Sequence, residues 1–134
     1  MRPTWTAGLL AILILTASLS AHHAAAGIDR PKTVTIEGTV KQFKWGNPHS
    51  WLDVEVKKES GGVDLWSLEM TSPAFLVRAG WKATTVKAGD KVKATANPFK
   101  NGDPGGIFLS VTLPDGRTLT ERAQPAATAP PAAK

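Results

Sequence analysis

The sequence predicts a mainly β domain, a small five-stranded Greek-key barrel of the oligonucleotide/oligosaccharide-binding (OB) type, with one short helix between strands three and four. Three observations lead to this fold class. Apolar and polar residues alternate in several separate segments, as expected of strands with one buried face. A serine-proline pair begins a single helical stretch after the third segment. The first strand is long and contains a glycine at which it can bend.

The first three strands form the amino-terminal half of the domain. Alternation predicts the first strand over residues 34–41, where Gly38 allows a bend or a bulge. An Asn-Pro dipeptide marks the turn into a second strand over residues 52–57. A pair of glycines then separates this strand from a third one over residues 63–70, which predicts a hairpin.

The helix and the remaining strands follow. We expect the Ser72 side chain to cap a short helix over residues 73–79, which ends at the next glycine. Alternation predicts two more strands over residues 91–96 and 107–113, with a short extension over residues 117–120. An open sandwich of the same strands is the alternative fold, because this pattern alone does not show whether the sheet closes.

The chain divides into four segments. Residues 1–21 contain a short apolar run followed by small residues, which is typical of a cleavable secretory signal; a membrane span needs about 20 apolar residues. Residues 22–32 read as a flexible lead-in, residues 33–120 as one OB-like β domain, and residues 121–134, rich in alanine and proline, as a disordered tail. We therefore expect a periplasmic or secreted protein, with no stable membrane span after cleavage.

Charge and side-chain chemistry exclude some classes of function. The chain has 16 basic and 11 acidic residues, and the lysines are scattered along the predicted strands, whereas nucleic-acid binding needs a clustered basic patch. Ser50 stands beside His49 without an orienting group or an oxyanion loop. The carboxylates of Asp53 and Glu55 alternate on a predicted exposed strand face. We therefore expect no enzyme and no nucleic-acid partner.

The three histidines of the chain are His22, His23 and His49, and they are the candidate metal ligands. A nitrogen-rich, roughly planar set that includes the new terminal amine suits Cu(II) or Ni(II), so copper is the candidate cofactor, and the alternative is no cofactor. Zinc prefers a tetrahedral set and needs a further acidic ligand. The acidic residues considered for it are Asp29, Asp53 and Glu69. The alternative interpretation is a solvated histidine pair, with His49 capping the turn after proline.

The position of signal cleavage decides which copper site can form. A cut after Ala21 makes His22 the first residue, whose amine and imidazole can chelate one ion. A cut after Ser20 makes His23 the third residue, so that its imidazole, two backbone amides and the terminal amine form another square-planar set. A cut after Ala26 removes both histidines. The sequence leaves these three positions open.

An aromatic surface is the second candidate site. Four residues stand at every second position, so their side chains share one face if the strand pairing continues through the predicted turn. They are Trp45, Asn47, His49 and Trp51. Two indoles with an amide between them can stack a saccharide, a peptide of a periplasmic protein partner or another small flat ligand. Core packing is the alternative, and we expect it for Trp66 and Trp81.

Five segments of the chain together resemble one family. They are Trp45-Gly46-Asn47-Pro48-His49-Ser50-Trp51, the pair His22-His23, Gly80-Trp81, Gly89-Asp90 and Leu113 to Arg117. Its members are small exported bacterial proteins of uncharacterised function, and the similarity covers about residues 21–119. An aromatic residue that the family places shortly after the histidine pair is absent, because alanines and glycine occupy residues 24–27. The resemblance implies export and a β domain, and it implies no established activity.

Overall fold

The computed structural model describes residues 27–122. The proposed signal, His22, His23 and residues 123–134 of the proposed tail therefore lie outside the described residues. The described chain forms, in order, β1 (Val34–Lys44), β2 (Trp51–Lys57), β3 (Val63–Glu69), α1 (Pro73–Arg78), β4 (Lys91–Pro98), β5 (Gly105–Thr112) and β6 (Thr118–Thr120).

Strands β1 to β5 close into a barrel. Neighbouring strands in the order β3-β2-β1-β4-β5 are antiparallel, and the end of β3 pairs in parallel with the start of β5. The short strand β6 pairs with the other end of β5. The prediction of a mainly β, five-stranded OB-like barrel with one short helix between β3 and β4 is confirmed. The closing β3–β5 pair excludes the open sandwich.

β1 is the long strand that two neighbours share. Its first half pairs with β4 and its second half with β2, and both ladders include Thr39. The register shift lies between Val40 and Gln42, whereas the sequence suggested a bend or bulge at Gly38. Gly38 has a different role, because a β-carbon there would collide with the backbone carbonyl of Glu55 on β2. The glycine therefore allows close approach of two strands.

α1 begins at Pro73 as predicted, but its cap differs from the expected one. The Ser72 side chain makes no capping hydrogen bond. Its backbone carbonyl accepts hydrogen bonds from the N–H groups of Phe75 and Leu76, each at 3.1 Å. Leu76 is fully buried and joins the barrel core, so the helix covers part of that core. Among residues 27–122, no helix is long and apolar enough to cross a membrane.

Trp81 is a central core residue. It is 1% exposed, and its ring contacts Phe43 and Phe108 with centroid distances of 5.8 and 5.7 Å. Its indole N–H donates a hydrogen bond to the carbonyl of Thr120 at 2.8 Å, which satisfies the polar atom of a buried side chain. Core packing is therefore confirmed for Trp81, and Trp66 is partly buried against the same core.

Residues 27–32 lie against the end of β4 and do not form a free lead-in. Ile28 is 4% exposed and forms a bridge with Phe99. The side-chain amide of Asn97 donates hydrogen bonds to two backbone carbonyls of this segment, at 3.1 and 2.8 Å. The buried Ile28 side chain and the two hydrogen-bonded carbonyls therefore hold residues 27–32 against the barrel, although the sequence predicted a flexible segment over residues 22–32.

Two glycines at the start of β5 make the closing pair possible. Gly105 and Gly106 have φ angles of 148° and 154°, which glycine tolerates better than other residues. A β-carbon at Gly105 would lie 2.6 Å from the Phe99 ring and 2.9 Å from the Ser67 carbonyl oxygen. A β-carbon at Gly106 would collide with the carbonyl oxygen of Asn97. Strands β3, β4 and β5 therefore meet where no side chain fits.

We predict that Gly106→Ala lowers the free energy of unfolding by about 2–4 kcal/mol, because backbone strain and a steric clash add at this position. Gly116→Ala is the matched control, since Gly116 has a φ of 86° with no atom within 4 Å of an added β-carbon. It should cost only about 1–2 kcal/mol. Urea unfolding of the protein measures both variants, and equal losses would contradict the clash.

Candidate functional site

The loop between β1 and β2, residues 45–50, is attached to the junction of β3 and α1. Ser50 is fully buried; its N–H donates to the Thr71 carbonyl at 3.1 Å and its carbonyl accepts from the Met70 N–H at 2.9 Å. The Ser50 hydroxyl accepts a hydrogen bond from the Gly46 N–H at 3.4 Å. Ser50 therefore stabilises the loop, and its hydroxyl does not face solvent.

The two tryptophans that flank this loop have different surroundings. The Trp45 ring makes a T-shaped contact with Phe43 at 5.7 Å between centroids and packs against the barrel core. Trp51 begins β2 and is half-buried. Asn47 is exposed, and the bond between Asn47 and Pro48 is cis. The alternation expected from Trp45 to Trp51 is therefore not kept, since an irregular loop replaces a continuous strand.

His49 is the exposed member of a pair with Glu69. The imidazole Nδ1 of His49 contacts the Oε1 atom of Glu69, and the two side chains are 51% and 21% exposed. Glu69 is the last residue of β3 and is in register with Trp51 and Ile107, so both neighbouring strands hold its position. In a neutral imidazole, a carboxylate at Nδ1 favours the tautomer with the proton on that nitrogen, and the lone pair of that tautomer is on Nε2.

Glu121 brings a second carboxylate to this end of the barrel. Its Oε1 atom accepts a hydrogen bond from the Thr71 N–H at 2.6 Å. Burial raises the pKa of Glu121 above its ordinary value of 4.5, and the Glu69 charge acts in the same direction, while the Thr71 N–H and His49 oppose the rise. We refer to His49, Glu69 and Glu121 as the His49 cluster.

The His49 cluster is not a complete metal site by itself. Within residues 27–122, no group of three or more histidine, aspartate or glutamate side chains has an arrangement that could hold a metal ion. His22 and His23, the other two candidate ligands, lie outside the described residues. The structure therefore describes one of the three predicted metal ligands, His49, and shows its contact with Glu69, which the sequence offered only as a possible additional zinc ligand.

The described amino-terminal segment reaches the barrel near the closing β3–β5 pair. Gly27 accepts a hydrogen bond from the N–H of Lys100 at 2.8 Å. Lys100 begins the loop that leads to Gly105, where β5 starts pairing with β3, and Glu69 is the last β3 residue of this pairing. His23 precedes Gly27 by four positions, and four extended residues reach at most about 14 Å.

Asp53 is buried, although its position in the alternating pattern indicated an exposed strand face. It is 4% exposed; its Oδ1 accepts a hydrogen bond from the Ser67 hydroxyl at 2.6 Å, and its Oδ2 lies 2.7 Å from the Lys44 ammonium. Glu55 remains at the surface and pairs with Lys41 at 3.2 Å. Because Asp53 already balances Lys44, it is a poor candidate for a further metal ligand.

We predict that Glu121→Gln stabilises the protein at neutral pH, because glutamine keeps an acceptor for the Thr71 N–H and removes a partly buried charge. A carboxyl whose folded pKa is raised favours folding in its protonated form, and that contribution is lost as pH rises through the folded pKa. The melting temperature of the variant should therefore exceed that of the wild type at pH 7.

The difference in melting temperature should disappear as pH falls below the ordinary glutamate pKa of 4.5, where the carboxyl is protonated in both states. Glu59→Gln, at an exposed turn position, is the control and should show no such pH dependence. A variant that is less stable than the wild type at pH 7 would contradict the burial of the charge.

Comparison with known proteins gives one match. A family model described as "Family of unknown function (DUF6152)" matches residues 11–109. This range includes both predicted copper-binding histidines before the barrel, the whole β1–β2 loop, and the strands up to Leu109 of β5. No curated protein and no solved structure matches the chain.

Proposed function

The chain belongs to the DUF6152 family of unknown function, and we propose that it is an exported, non-catalytic protein that binds copper outside the cytoplasm. The proposed ligands are the imidazole of His49 and the imidazoles of His22 and His23 close to the processed amino terminus. The observation that carries this proposal is the contact between His49 Nδ1 and the Glu69 carboxylate.

The His49–Glu69 pair has the arrangement of a metal ligand with its supporting carboxylate. Metal-binding histidines generally donate their second ring N–H to a carboxylate or carbonyl, which fixes the ring and makes the ligating nitrogen more basic. The His49 side chain is 51% exposed, so an ion from solvent can approach the ring. A histidine that only caps the preceding turn does not require a carboxylate fixed at the end of a strand.

Local charge also favours a divalent cation at this position. The chain carries a formal net charge of +5, which by itself repels cations. Glu69 and Glu121 bring two carboxylates to the side of His49. A bound cation would relieve the mutual repulsion of these carboxylates, which supports a metal ion at His49 once further ligands complete the site.

The ligand types support copper over zinc. A terminal amine and imidazoles form the nitrogen-rich, near-planar set that suits Cu(II), whereas zinc prefers four tetrahedral ligands. Asp53 is committed to Lys44, and Glu69 is committed to His49, so two of the acidic residues considered as a fourth zinc ligand already have partners. The proposal requires signal cleavage after Ser20 or Ala21, because a cut after Ala26 removes both amino-terminal histidines.

A second candidate function is ligand binding at the outer face of β2 and β3. Leu52 and Val54 are buried in the core, so Trp51 lies on the opposite, outer face of β2. This is the face that binds ligands in OB barrels. Val63 and Leu65 on β3 are 53% and 43% exposed and are in register with Lys57 and Glu55 of β2, so they lie on the same outer face, farther along the strands. Trp45 contributes to the core and is not part of this surface.

The copper proposal predicts that His49→Ala weakens Cu(II) binding by at least about tenfold, because one ligand is lost. Glu69→Gln should weaken binding by about tenfold, since the supporting carboxylate is lost while His49 remains. Asn47→Ala, in the same exposed loop, should leave the affinity unchanged. The measurement is calorimetric titration of protein purified from the periplasm, after mass spectrometry has established its natural amino terminus.

Three results would contradict the proposal: a natural terminus at Gly27, binding no tighter than micromolar, or affinity unaffected by His49→Ala. Tight binding that is lost only when one residue is added before His22 would restrict the site to the terminal amine and exclude His49. If copper does not bind and a saccharide quenches tryptophan fluorescence in the wild type but not in Trp51→Ala, the second candidate function is favoured.

A further inference from the structure

A groove of about 540 Å³ lies on the barrel surface, away from the His49 cluster. Its lining comes from β1, from β2 and β4 on either side of β1, and from the end of β5. Its lining includes five charged side chains and a threonine: Glu37, Thr39, Glu55, Lys57, Lys91 and Lys93. None of them was a candidate site residue from the sequence.

The groove exists because β1 and β2 separate. Their ladder begins at the pair Thr39 and Glu55, and the last residues of β2 pair with β3 alone. β1 continues with β4 down to Val34. Lys57 therefore lies beyond the end of the β1–β2 ladder. β2 and β4 lie on the two sides of β1, so the backbones of β2 and β4 are about 10 Å apart.

The charges of the groove do not cancel. Lys93 pairs with Glu37 at 2.9 Å, and Glu55 pairs at 3.2 Å with Lys41, which stands outside the groove. Both carboxylates of the lining therefore already have a cation. Within residues 27–122, Lys57 and Lys91 form no ion pair, so two ammonium groups in one groove lack a counter-charge.

Lys91 is also held in position. Its ammonium donates a hydrogen bond to the Thr39 hydroxyl at 2.5 Å across the β1–β4 ladder, and Thr39 is the partner of Lys91 in that ladder. An ammonium has three N–H donors, so two remain for a ligand. Fixing the side chain beforehand reduces the conformational entropy that binding would otherwise cost.

We propose that this groove binds a ligand through a phosphate or sulfate group, held between the ammonium groups of Lys57 and Lys91. A tetrahedral dianion accepts several hydrogen bonds and supplies the counter-charge that both lysines lack. The proposal is independent of copper binding, because the groove shares no residue with the His49 cluster.

Titration of the metal-free mature protein with inorganic phosphate at low ionic strength, followed by amide chemical shifts, tests the proposal. We expect saturating shifts at Thr39, Lys57 and Lys91, with sulfate competing for the same site. Lys57→Gln and Lys91→Gln should each weaken binding by about threefold, and the double variant should weaken it by about tenfold. Lys91→Arg, which keeps the charge, should retain most of the affinity.

Lys82→Gln, an exposed lysine that does not line the groove, is the matched control and should bind phosphate as the wild type does. His49→Ala should also leave phosphate binding unchanged, which separates this site from the proposed copper site. Absence of saturating shifts, or shifts that are equal in the wild type and in the Lys57→Gln/Lys91→Gln double variant, would overturn the proposal.

Discussion

The contact on which the rest of the structure depends is the parallel pairing of β3 with the start of β5. It converts a sheet with two open edges into a barrel, and it requires backbone contact without intervening side chains at Gly105 and Gly106. Because closure removes exposed edges, the barrel core can be stable in a domain without cysteine. The position of Glu69 at the end of β3 follows from this pairing.

Closure also determines which loops meet. The β1–β2 loop is attached through Ser50 to the residues that follow β3, so His49 lies at the Glu69 carboxylate. The carboxyl-terminal residues cross the same end, where Glu121 bonds to Thr71 and the Thr120 carbonyl accepts the indole N–H of Trp81. Residues distant in sequence thus form one polar cluster over an aromatic core.

The order of the strands and the helix predicted the barrel, and alternation predicted the individual strands, since burial of one strand face produces a period of two. It did not predict the burial of Asp53, because Lys44 and Ser67 approach it from neighbouring strands. For Trp45 the sequence left core packing and a surface position open, and the register shift after Val40 turns it toward the core. His49 was identified by residue type, whereas its contact with Glu69 depends on tertiary structure.

The central claim is that His49 and the amino-terminal histidines bind one copper ion. Paramagnetic broadening of amide resonances by substoichiometric Cu(II) tests this most directly, because broadening marks the residues closest to the ion. We expect broadening at His49 and Glu69 together with the first residues of the natural amino terminus. Broadening confined to the amino-terminal residues, with His49 and Glu69 unaffected, would contradict it.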